Sequence, residues 1–454
     1  MIPPDDALHS RLSILNGFHH ARKSFRLETV CYTRKEMRFL YSILYTCGFL
    51  ILLPYFLIVG LVRGKYLSTV WQRFGNISQR SHVPSIWIHA VSVGEFLACR
   101  TLIEKIKGLL PEVPLFVSTT TITGQELAKQ VLPGSTFYFP FDWAWTVRKV
   151  LLRIRPRIIV VLETEIWPNF LWSAESSGIP TMLINGRLSD RSMRRYSRVK
   201  KWLPHFTESW MQTEKDAEKM KSLGANRVFM SGNLKYDVQP AIASNELSNL
   251  LATWKDGSLL WIAGSTMPGE EPLVLEAFQA LKREHALKLL IAPRHPNRFS
   301  EVARLMEREG FKYASRSLWN AQTMNNDVLL LDTIGELAGA YEFADVVLIG
   351  GTLLEKGGGH NPIEPAFFGK PVVSGIHFSN FRHVFQDFQR NNAIFVTDDL
   401  LTDMRQLLDS PDKRKVIGTN ARSLVEQNAG TSQRILKEVL RLIDDSSAPA
   451  KIFR

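Results

Sequence analysis

Three glutamates and a lysine stand at positions where a charge needs a chemical explanation. Glu95 lies in a tight turn of HAVSVGEF, and Glu163 and Glu165 end the hydrophobic run RIIVVLETE. Because a carboxylate that ends a hydrophobic strand is costly to bury without a partner, at least one of this ETE pair is expected to face a cleft. Lys235, in SGNLKYD, is a cation placed to meet an anion across that cleft.

A second group of residues suits a phosphate. In GGGHNPIEPAFFGKPVV, the glycines 357–359 would expose backbone N–H groups, Asn361 suits an N-cap, Pro362 the first helical position and Glu364 the capping-box position. A helix that begins there would direct its positive end at an anion. A well-capped helix after a flexible loop explains Asn361 and Glu364 as well, and glycines alone are weak support for a phosphate site.

Two other segments could also meet a phosphate. Arg294, after LKLLIAP, can offer a forked pair of donors to a phosphate, although surface pairing would also explain it. The junction GSTMPGEE is less suited, because Glu270 and Glu271 in a first helical turn repel a phosphate while they suit the helix dipole. His295, between arginine and proline, is typical of a capping or packing residue and is not placed in the catalytic set.

Four arginines recur in NGRLSDRSMRRYSRVKKW. Arg191, Arg194, Arg195 and Arg198 have helical i, i+3, i+4 and i+7 spacing, which gathers them on one face. Such a stripe is ordinarily solvated surface. Beside a membrane anchor, however, four like charges on one face repel one another and are readily explained by a phosphorylated lipid.

The elements that must position these residues follow an α/β pattern. Hydrophobic runs alternate with amphipathic helical segments, first through SIWIHAV, PLFVSTT and RIIVVLETE, then through LLWIAG, LKLLIAP, DVLLLD, DVVLIGG and PVVSG. Alternation of this kind predicts βαβ units on parallel sheets. Two doubly wound domains are expected, with a hinge near residues 237–256. Ligands bind outside the carboxyl ends of strands in such sheets, which is where the residues above lie.

An apolar segment precedes both series. The uncharged run 39–62 is longer than the roughly 20 residues that a helix needs to cross a bilayer, and no small-residue cleavage site precedes the following RGKY. A membrane anchor is therefore predicted, although Pro54 also allows a kinked, interfacial insertion. Basic residues on both sides weakly favour an internal amino terminus. A chain that starts at Met37 reverses that preference and leaves the globular part in the cytoplasm.

Composition limits the class of protein. A chain of 454 residues with 45% hydrophobic and 22% charged residues is long enough for two or three folded domains and is neither disordered nor collagen-like. The net charge of +12 predicts an anionic partner, which could be nucleic acid, a membrane surface or a phosphorylated ligand. Three cysteines without a CxxC pair argue against a disulfide framework or a zinc site and favour a reducing compartment.

The motifs, taken in order, resemble those of the lipopolysaccharide Kdo transferases, which move 3-deoxy-D-manno-octulosonic acid (Kdo) from CMP-Kdo to a lipid A precursor. The resemblance extends from about Met37 to the last helix, but not to residues 1–36. The motifs that carry it are HAVSVGE, STTTITG, LETEIWPN, NGRLSDRS, GNLKYD, IAPRHP, GELAGAYEFADVVLIGG and GGGHNPIEPAFFGKPVV.

The resemblance implies a GT-B fold of two facing Rossmann-like domains. Its boundaries here would be an extension of doubtful status at 1–36, an anchor at 37–66, an acceptor domain at 67–240 and a donor domain at 241–454. The family implies location at the bacterial inner membrane with the catalytic domains facing the cytoplasm. The expected partners are CMP-Kdo, a lipid A precursor and the anionic membrane surface, without nucleic acid.

Residue roles follow from the same resemblance. It implies that Glu95 is the general base of an inverting transfer, and that Glu163 and Lys235 stabilise the transition state, although the neighbouring Glu165 competes with Glu163 for that role. Glu364 would accept from ribose hydroxyls, in competition with its capping role. The implied CMP site consists of Pro293, Arg294, Gly335, Glu336, Leu337, Asn361, Pro362, Ile363 and Glu364. The four arginines are candidates for the phosphates of the acceptor lipid.

No cofactor or metal is expected, because a helix terminus with Arg294 and Lys235 could stabilise a leaving group that carries a single phosphate. Two rival functions remain open. Another nucleotide-sugar glycosyltransferase or a sugar epimerase would keep the second-domain motifs but would not need the anchor and the arginine stripe together. A membrane-tethered binding protein for nucleic acid or anionic lipid would leave GGGHNPIEP without a purpose.

Overall fold

The computed structural model describes residues 34–63, 67–237, 240–319 and 325–445. The chain divides into two units between Leu67 and Ser68. The described part of the first unit is one helix, α1 (Arg34–Arg63), which contains Pro54 and the predicted uncharged run. Its segment Lys35–Tyr55 is long and apolar enough to cross a membrane, and none of that segment is buried. The helix expected over this run is therefore confirmed.

The helix extends upstream of Met37. Residues 1–33 of the predicted extension 1–36, and residues 64–66 of the predicted anchor 37–66, lie outside the described residues. A short helix, α2 (Leu67–Arg73), follows and leads into the second unit.

The first half of the second unit is a seven-stranded parallel sheet with the strand order β3-β2-β1-β4-β5-β6-β7. Its strands are β1 (Ser85–His89), β2 (Leu115–Thr119), β3 (Thr136–Tyr138), β4 (Pro156–Leu162), β5 (Thr181–Gly186), β6 (Glu208–Met211) and β7 (Val228–Met230). The helices between them are α3 (Val93–Leu109), α4 (Ile122–Val131), α5 (Ala144–Ile154), α6 (Pro168–Ser176), α7 (Asp190–Ser197) and α8 (Glu214–Ser222).

The second half has a parallel sheet of the same size, with the strand order β10-β11-β9-β8-β12-β13-β14. Its strands are β8 (Leu259–Thr266), β9 (Leu287–Pro293), β10 (Tyr313–Ser315), β11 (Val328–Leu330), β12 (Val346–Ile349), β13 (Val372–Ser374) and β14 (Phe395–Val396). Its helices are α9 (Asn245–Lys255), α10 (Glu270–Leu281), α11 (Phe299–Arg308), α12 (Leu337–Ala340), α13 (Ile363–Phe367), α14 (Arg382–Arg390), α15 (Leu400–Asp409) and α16 (Pro411–Asn428).

The central strands form the cores of both halves. All residues of β1, β2 and β5 are buried, because helices cover both faces of a parallel sheet. For the same reason several strands appear in the sequence as continuous hydrophobic runs rather than alternating ones. The predicted architecture of two doubly wound α/β domains is confirmed.

The chain passes from one half to the other at a 3₁₀ turn, Leu234–Asp237. Leu234 is buried in the core of the first half, and Tyr236 is buried in the core of the second. Lys235 lies between these two anchored residues, so the crossing itself places its side chain at the junction.

The last helix, α17 (Thr431–Asp445), returns to the first half. Its buried side chains, including Ile435 and Val439, join the core beside β1 and β4. The predicted donor domain, residues 241–454, includes this helix, whereas the structure packs it on the first half. The start of α17 is held at the crossing, because the carboxylate of Asp237 accepts the backbone N–H groups of Thr431 and Ser432.

Each sheet contains one point where the strand order reverses. In the first sheet β1 lies between β2 and β4, and in the second β8 lies between β9 and β12. Ligands of open α/β sheets bind in the crevice outside the carboxyl ends of the strands at such points. Glu95 follows β1 and Glu163 follows β4, so both residues belong to the same crevice.

Candidate active site

Glu95 is held by the turn that joins β1 to α3. Ser92 is the N-cap of α3, and its hydroxyl accepts the backbone N–H of Glu95 at 3.4 Å. The Glu95 carboxylate reaches back, accepting the N–H of Val91 at 2.8 Å and the hydroxyl of Ser92 at 3.2 Å. This is a variant of the capping box S-x-x-E, in which the carboxylate bonds the residue before the cap. Sequence reasoning missed that signature.

The surroundings of Glu95 disfavour its charged form. Burial, followed by the negative charge of Glu163, raises the pKa of Glu95 from its ordinary value of 4.5 to about 8. The hydrogen bonds from Val91 and Ser92 oppose this shift, while the charge of Glu165 adds to it. The capping bonds therefore hold the carboxyl in place, and its burial beside other carboxylates keeps its pKa near the pH range in which a general base works.

The ETE loop follows β4 with an unusual backbone. Glu163 has a left-handed φ of 55°, which is rare for a residue other than glycine. Its N–H donates to the carbonyl of Ile184 at 3.0 Å, which fixes the loop against the end of β5. Backbone strain of this kind is concentrated at functional sites.

The two glutamates of this loop have different surroundings. Glu165 accepts the indole N–H of Trp167 at 2.9 Å, and burial raises the pKa of Glu165 although this bond opposes the rise. The charge of Arg195 also lowers it, which shows that one arginine of the predicted stripe lies near the site. The preference for Glu163 over Glu165 stays a prediction.

Lys235 faces the second half of the unit. Its Nζ lies 5.9 Å from the ring centroid of Phe381, which precedes α14. Burial, followed by the positive charges of Arg187 and Lys235, lowers the pKa of His383 from its ordinary value of 6.5 to about 4. The crossing therefore brings a cation of the first half together with residues of α14.

Arg187 was not among the residues selected from the sequence. It follows β5 directly, and it interacts electrostatically with Glu163 of the first half and Asp387 of the second. The signal that could have identified it is its position after the hydrophobic run TMLING, at the carboxyl edge of the sheet.

Arg294 follows β9, the strand that ends at Pro293. Its N–H donates to the carbonyl of Thr266 at 3.0 Å. Burial raises the pKa of Glu364, and the hydrogen bond from Asn361 and the charge of Arg294 oppose that rise. Burial and the charge of Arg294 also lower the pKa of His360 to about 4. The predicted residues Pro293, Arg294, Asn361 and Glu364 thus lie at one crevice.

The segment Gly335 to Leu337 leads into α12. Gly335 has a φ of 90°, and Leu337 begins the helix. The carboxylate of Glu336 accepts from Arg316 at 2.9 Å and from the hydroxyl of Thr333. The side chain of Glu336 is therefore engaged within the protein, and its contact with CMP stays a prediction.

The glycine loop differs from the prediction. Gly358 and Gly359 are buried, and side chains there would collide with Asn380 and Phe378. The expectation of a loop that exposes its backbone is wrong for these two residues, because they allow close packing against the segment before α14. That partner lies twenty or so positions further along the chain and leaves no local signal.

The predicted helix start is nearly reproduced. The helix is assigned from Ile363, but Pro362 before it already has helical dihedrals, with a φ of −84° and a ψ of −8°. Oδ1 of Asn361 accepts the N–H of Ile363 at 3.1 Å, which is the bond that an N-cap side chain makes to the second helical residue. The predictions of Asn361 as N-cap and of Pro362 as first helical residue therefore agree with the structure. Glu364 accepts from the side-chain amide of Asn361 at 3.2 Å, and among the described residues it makes no bond to the backbone N–H of Asn361, so the predicted capping box is not formed.

The two glutamates of GSTMPGEE are used inside the protein. Glu270 accepts the N–H groups of Gly351 at 2.7 Å and Leu353 at 2.9 Å. Glu271 forms a buried pair with Arg298 at 2.7 Å. These contacts agree with the prediction that this junction is less suited to a phosphate than the glycine loop.

The arginine stripe lies on the surface. Arg191, Arg194 and Arg195 belong to α7, Arg198 is its C-cap, and all four are exposed. Arg195 stacks on the ring of Tyr196 at 5.0 Å. Among the residues that the structure describes, none of the four arginines forms an ion pair. A single-faced cationic helix is confirmed, and its ligand stays a prediction.

Within the described ranges, no group of three or more His, Cys, Asp or Glu side chains could hold a metal ion.

The fold and the site define a glycosyltransferase with the GT-B fold. The model of the family glycosyl transferases group 1 matches residues 272–424. The crystal structure of Acinetobacter baumannii MurG is 12% identical and superposes with a TM-score of 0.50, covering 79% of this chain and 100% of that chain. At that identity the likeness shows the fold alone.

Sequence relatives then identify the family. The model of the 3-deoxy-D-manno-octulosonic-acid transferase (kdotransferase) family matches residues 68–238. The Haemophilus influenzae 3-deoxy-D-manno-octulosonic acid transferase is 33% identical over 425 residues, which cover 88% of this chain and 97% of the relative. The Bordetella pertussis enzyme is 31% identical over 386 residues, covering 80% and 89%. The chain belongs to the Kdo transferase family.

Proposed function

We propose that the protein transfers Kdo from CMP-Kdo to a lipid A precursor, lipid IVA, with Glu95 as the general base. The observation that carries this proposal is the buried carboxyl of Glu95 at the switch point of the first sheet. Its pKa of about 8 suits a group that must accept a proton from a sugar hydroxyl near neutral pH.

The reaction is a displacement at the anomeric carbon of Kdo. Glu95 takes the proton of a lipid hydroxyl while the hydroxyl oxygen forms a bond to the anomeric carbon. The bond from that carbon to the phosphate oxygen of CMP breaks, and CMP leaves with the bonding electrons as a phosphate monoester. Attack from the opposite face inverts the configuration. Alignment of the two substrates in the cleft would supply much of the acceleration.

Glu163 and Lys235 are proposed to stabilise the transition state. The strained backbone of Glu163 and the engagement of Glu165 by Trp167 favour Glu163 over its neighbour. Lys235 lies at the junction of the two halves, where it could meet the charge that develops on the leaving phosphate.

The donor is assigned to the second half. Arg294 would pair with the phosphate of CMP, and Glu364 would accept from the ribose. One Glu364 oxygen accepts from Asn361, and the other has no such bond among the described residues, which supports this role. At residues 335–337 the backbone would make the contact, since Arg316 and Thr333 hold the side chain of Glu336.

The acceptor is assigned to the first half. The exposed arginines of α7 would bind phosphates of the lipid, and helix α1 would keep the protein at the inner membrane with both catalytic halves in the cytoplasm. The influence of Arg195 on Glu165 supports this, because it links the cationic helix to the candidate site.

The proposal is tested by mass spectrometry of a tetraacylated lipid A precursor after incubation with the protein and freshly made CMP-Kdo. Wild-type protein should add one or more Kdo units, and Glu95→Ala and Glu95→Gln should add none. The glutamine variant keeps an acceptor for the capping bond and so separates chemistry from folding. The matched control is Glu104→Ala, which removes an exposed glutamate from the same helix.

Other outcomes identify the rivals. An unmodified lipid with wild-type protein that binds CMP would indicate another nucleotide-sugar glycosyltransferase or an epimerase. Full activity of Glu95→Gln would exclude Glu95 as the base. A membrane-tethered binding protein would tolerate Glu95→Ala and bind nucleic acid with a steep salt dependence.

A further inference from the structure

Three segments of the first half are joined so that Glu163, Arg187 and Lys235 lie close together. The hydroxyl of Thr164 donates to the carbonyl of Arg187 and accepts its N–H at 3.0 Å, which ties the ETE loop to the end of β5. The side-chain oxygen of Asn185 accepts the N–H of Leu234 at 3.0 Å, which ties the same end of β5 to the crossing. These hydrogen bonds therefore fix the position of the Arg187 backbone, from which its side chain extends.

The guanidinium of Arg187 is partly buried but has no close partner. Within the described ranges it makes no hydrogen bond and no ion pair within 4.0 Å. Burial lowers the pKa of Arg187, and the charges of Glu163, Asp216 and Asp387 oppose this by acting from a greater distance. A guanidinium carries five donors, and leaving them unfilled while removing them from water is unfavourable. An anion that entered here would fill them.

We propose that Arg187 binds the carboxylate of the sugar acid that is transferred, with Lys235 as the second cation. This inference rests on the proposed function. In an ulosonic acid the carboxyl carbon is bonded directly to the anomeric carbon. If Glu95 acts at that carbon, the sugar carboxylate must lie within a few bond lengths of the reaction.

The carboxylates of the site cannot bind the negatively charged carboxylate of the sugar. Glu95, Glu163 and Glu165 are all placed to repel an anion, as their mutual influence shows. A forked guanidinium matches a carboxylate in a bidentate geometry, which makes arginine the suitable residue. Arg187 would also distinguish a sugar acid from a neutral sugar.

The phosphates of the acceptor lipid are the competing source of an anion. Arg187 is less suited to them, because its electrostatic partners include Asp387 and His383 of the second half, to which the donor is assigned. The exposed arginines of α7 are better placed for a lipid headgroup. The structure therefore favours the donor carboxylate.

The test compares three probes by calorimetric titration of the full chain in detergent. They are freshly made CMP-Kdo, CMP, and a CMP-Kdo analogue whose carboxylate is an uncharged carboxamide. Arg187→Gln removes the charge, and Arg187→Lys keeps the charge without the fork. The matched control is Arg100→Gln, which removes an exposed arginine from α3.

Arg187→Gln is expected to weaken the binding of CMP-Kdo by about 10- to 100-fold, the range of a hydrogen bond to a charged group. Its affinity for CMP should be unchanged, and the carboxamide should bind wild type and variant alike. Arg187→Lys should fall between them, and Arg100→Gln should match wild type. Wild-type protein is also expected to bind CMP-Kdo more tightly than the carboxamide. This comparison needs no variant, so the inference can be tested even if Arg187→Gln fails to fold.

Two results would overturn the inference alone. One is wild-type protein that transfers Kdo but binds CMP-Kdo and the carboxamide equally. The other is an Arg187→Gln variant whose KM rises for the lipid acceptor and not for CMP-Kdo, which would assign Arg187 to a lipid phosphate. Wild-type protein that binds CMP but transfers no Kdo would overturn the proposed function, and this inference with it.

Discussion

Replacing Glu95 with glutamine is expected to remove transferase activity and to stabilise the fold at alkaline pH. Burial and the charge of Glu163 raise the pKa of Glu95 from 4.5 to about 8. An unfolded chain loses this proton near 4.5, whereas the folded chain keeps it up to about pH 8. Folded protein therefore binds the extra proton between these values, and the contribution of Glu95 to stability falls as pH rises through that window.

The magnitude follows from the size of the shift. Each unit of pKa corresponds to about 1.4 kcal/mol, so relative to acidic pH the shifted ionisation of Glu95 lowers the stability of the fold by about 2 kcal/mol at pH 6, where only the unfolded chain has lost the proton, and by about 5 kcal/mol at pH 9. Glutamine carries no charge, and its carbonyl oxygen can still accept the N–H of Val91 that Glu95 accepts at 2.8 Å. The variant should thus be more stable than wild type, by an amount that grows with pH.

The assay is denaturant unfolding of the full chain in detergent at pH 5, 6, 7, 8 and 9. The difference between Glu95→Gln and wild type should increase across the series and level off above pH 8. Glu104→Gln, on the exposed face of the same helix, should show no such trend. A stability difference for Glu95→Gln that does not depend on pH would refute the argument that burial controls this carboxyl.

Two further predictions concern the second half and the leaving group. Arg298→Met should destabilise the protein by about 3–5 kcal/mol, because it leaves the Glu271 carboxylate buried without its partner. Denaturant unfolding checks this, and adding Glu271→Gln should recover part of the loss, whereas a change below about 1 kcal/mol would contradict it. Kdo transfer should proceed at its full rate with EDTA, and a loss that magnesium restores would show that a metal takes part.

The long, fully buried strands could be predicted from the sequence. Runs such as SIWIH and RIIVVL are hydrophobic because both faces of their strands are covered, and their alternation with helices fixes a parallel sheet. The edge strands β7, β10 and β14 have two or three residues each, of which at most one is buried, so they form no continuous hydrophobic run. The strands β11 and β13 are as short, but all their residues are buried, and they could be predicted from the runs DVLLLD and PVVSG.

The candidate site shows the same division between local and distant information. Glu95, Glu163 and Lys235 could be selected because each stands at the end of a predicted strand or at the crossing. The packing of Gly358 against Asn380, and of α17 against the first sheet, depends on partners that no local pattern specifies. Arg187 lies between these cases, because its position was visible but its lack of a partner was not.

The turn that joins β1 to α3 explains how the carboxylate of Glu95 can be both a cap and a base. The carbonyl of Val91 accepts the N–H groups of Thr120 and Thr121 at 3.1 Å, and a side chain at Gly124 would crowd the backbone of Ser92. The start of α4 therefore clamps the turn from which Glu95 projects.

A capping carboxylate in water has a low pKa, because backbone N–H groups and the helix dipole stabilise its charge. At Glu95 those bonds are present but burial and the neighbouring carboxylates outweigh them. The capping contacts thus set the direction of the carboxyl group, and the desolvated crevice sets its basicity. An exposed capping box would provide the first property without the second, and a buried glutamate without the cap would be basic but free to rotate away from the hydroxyl.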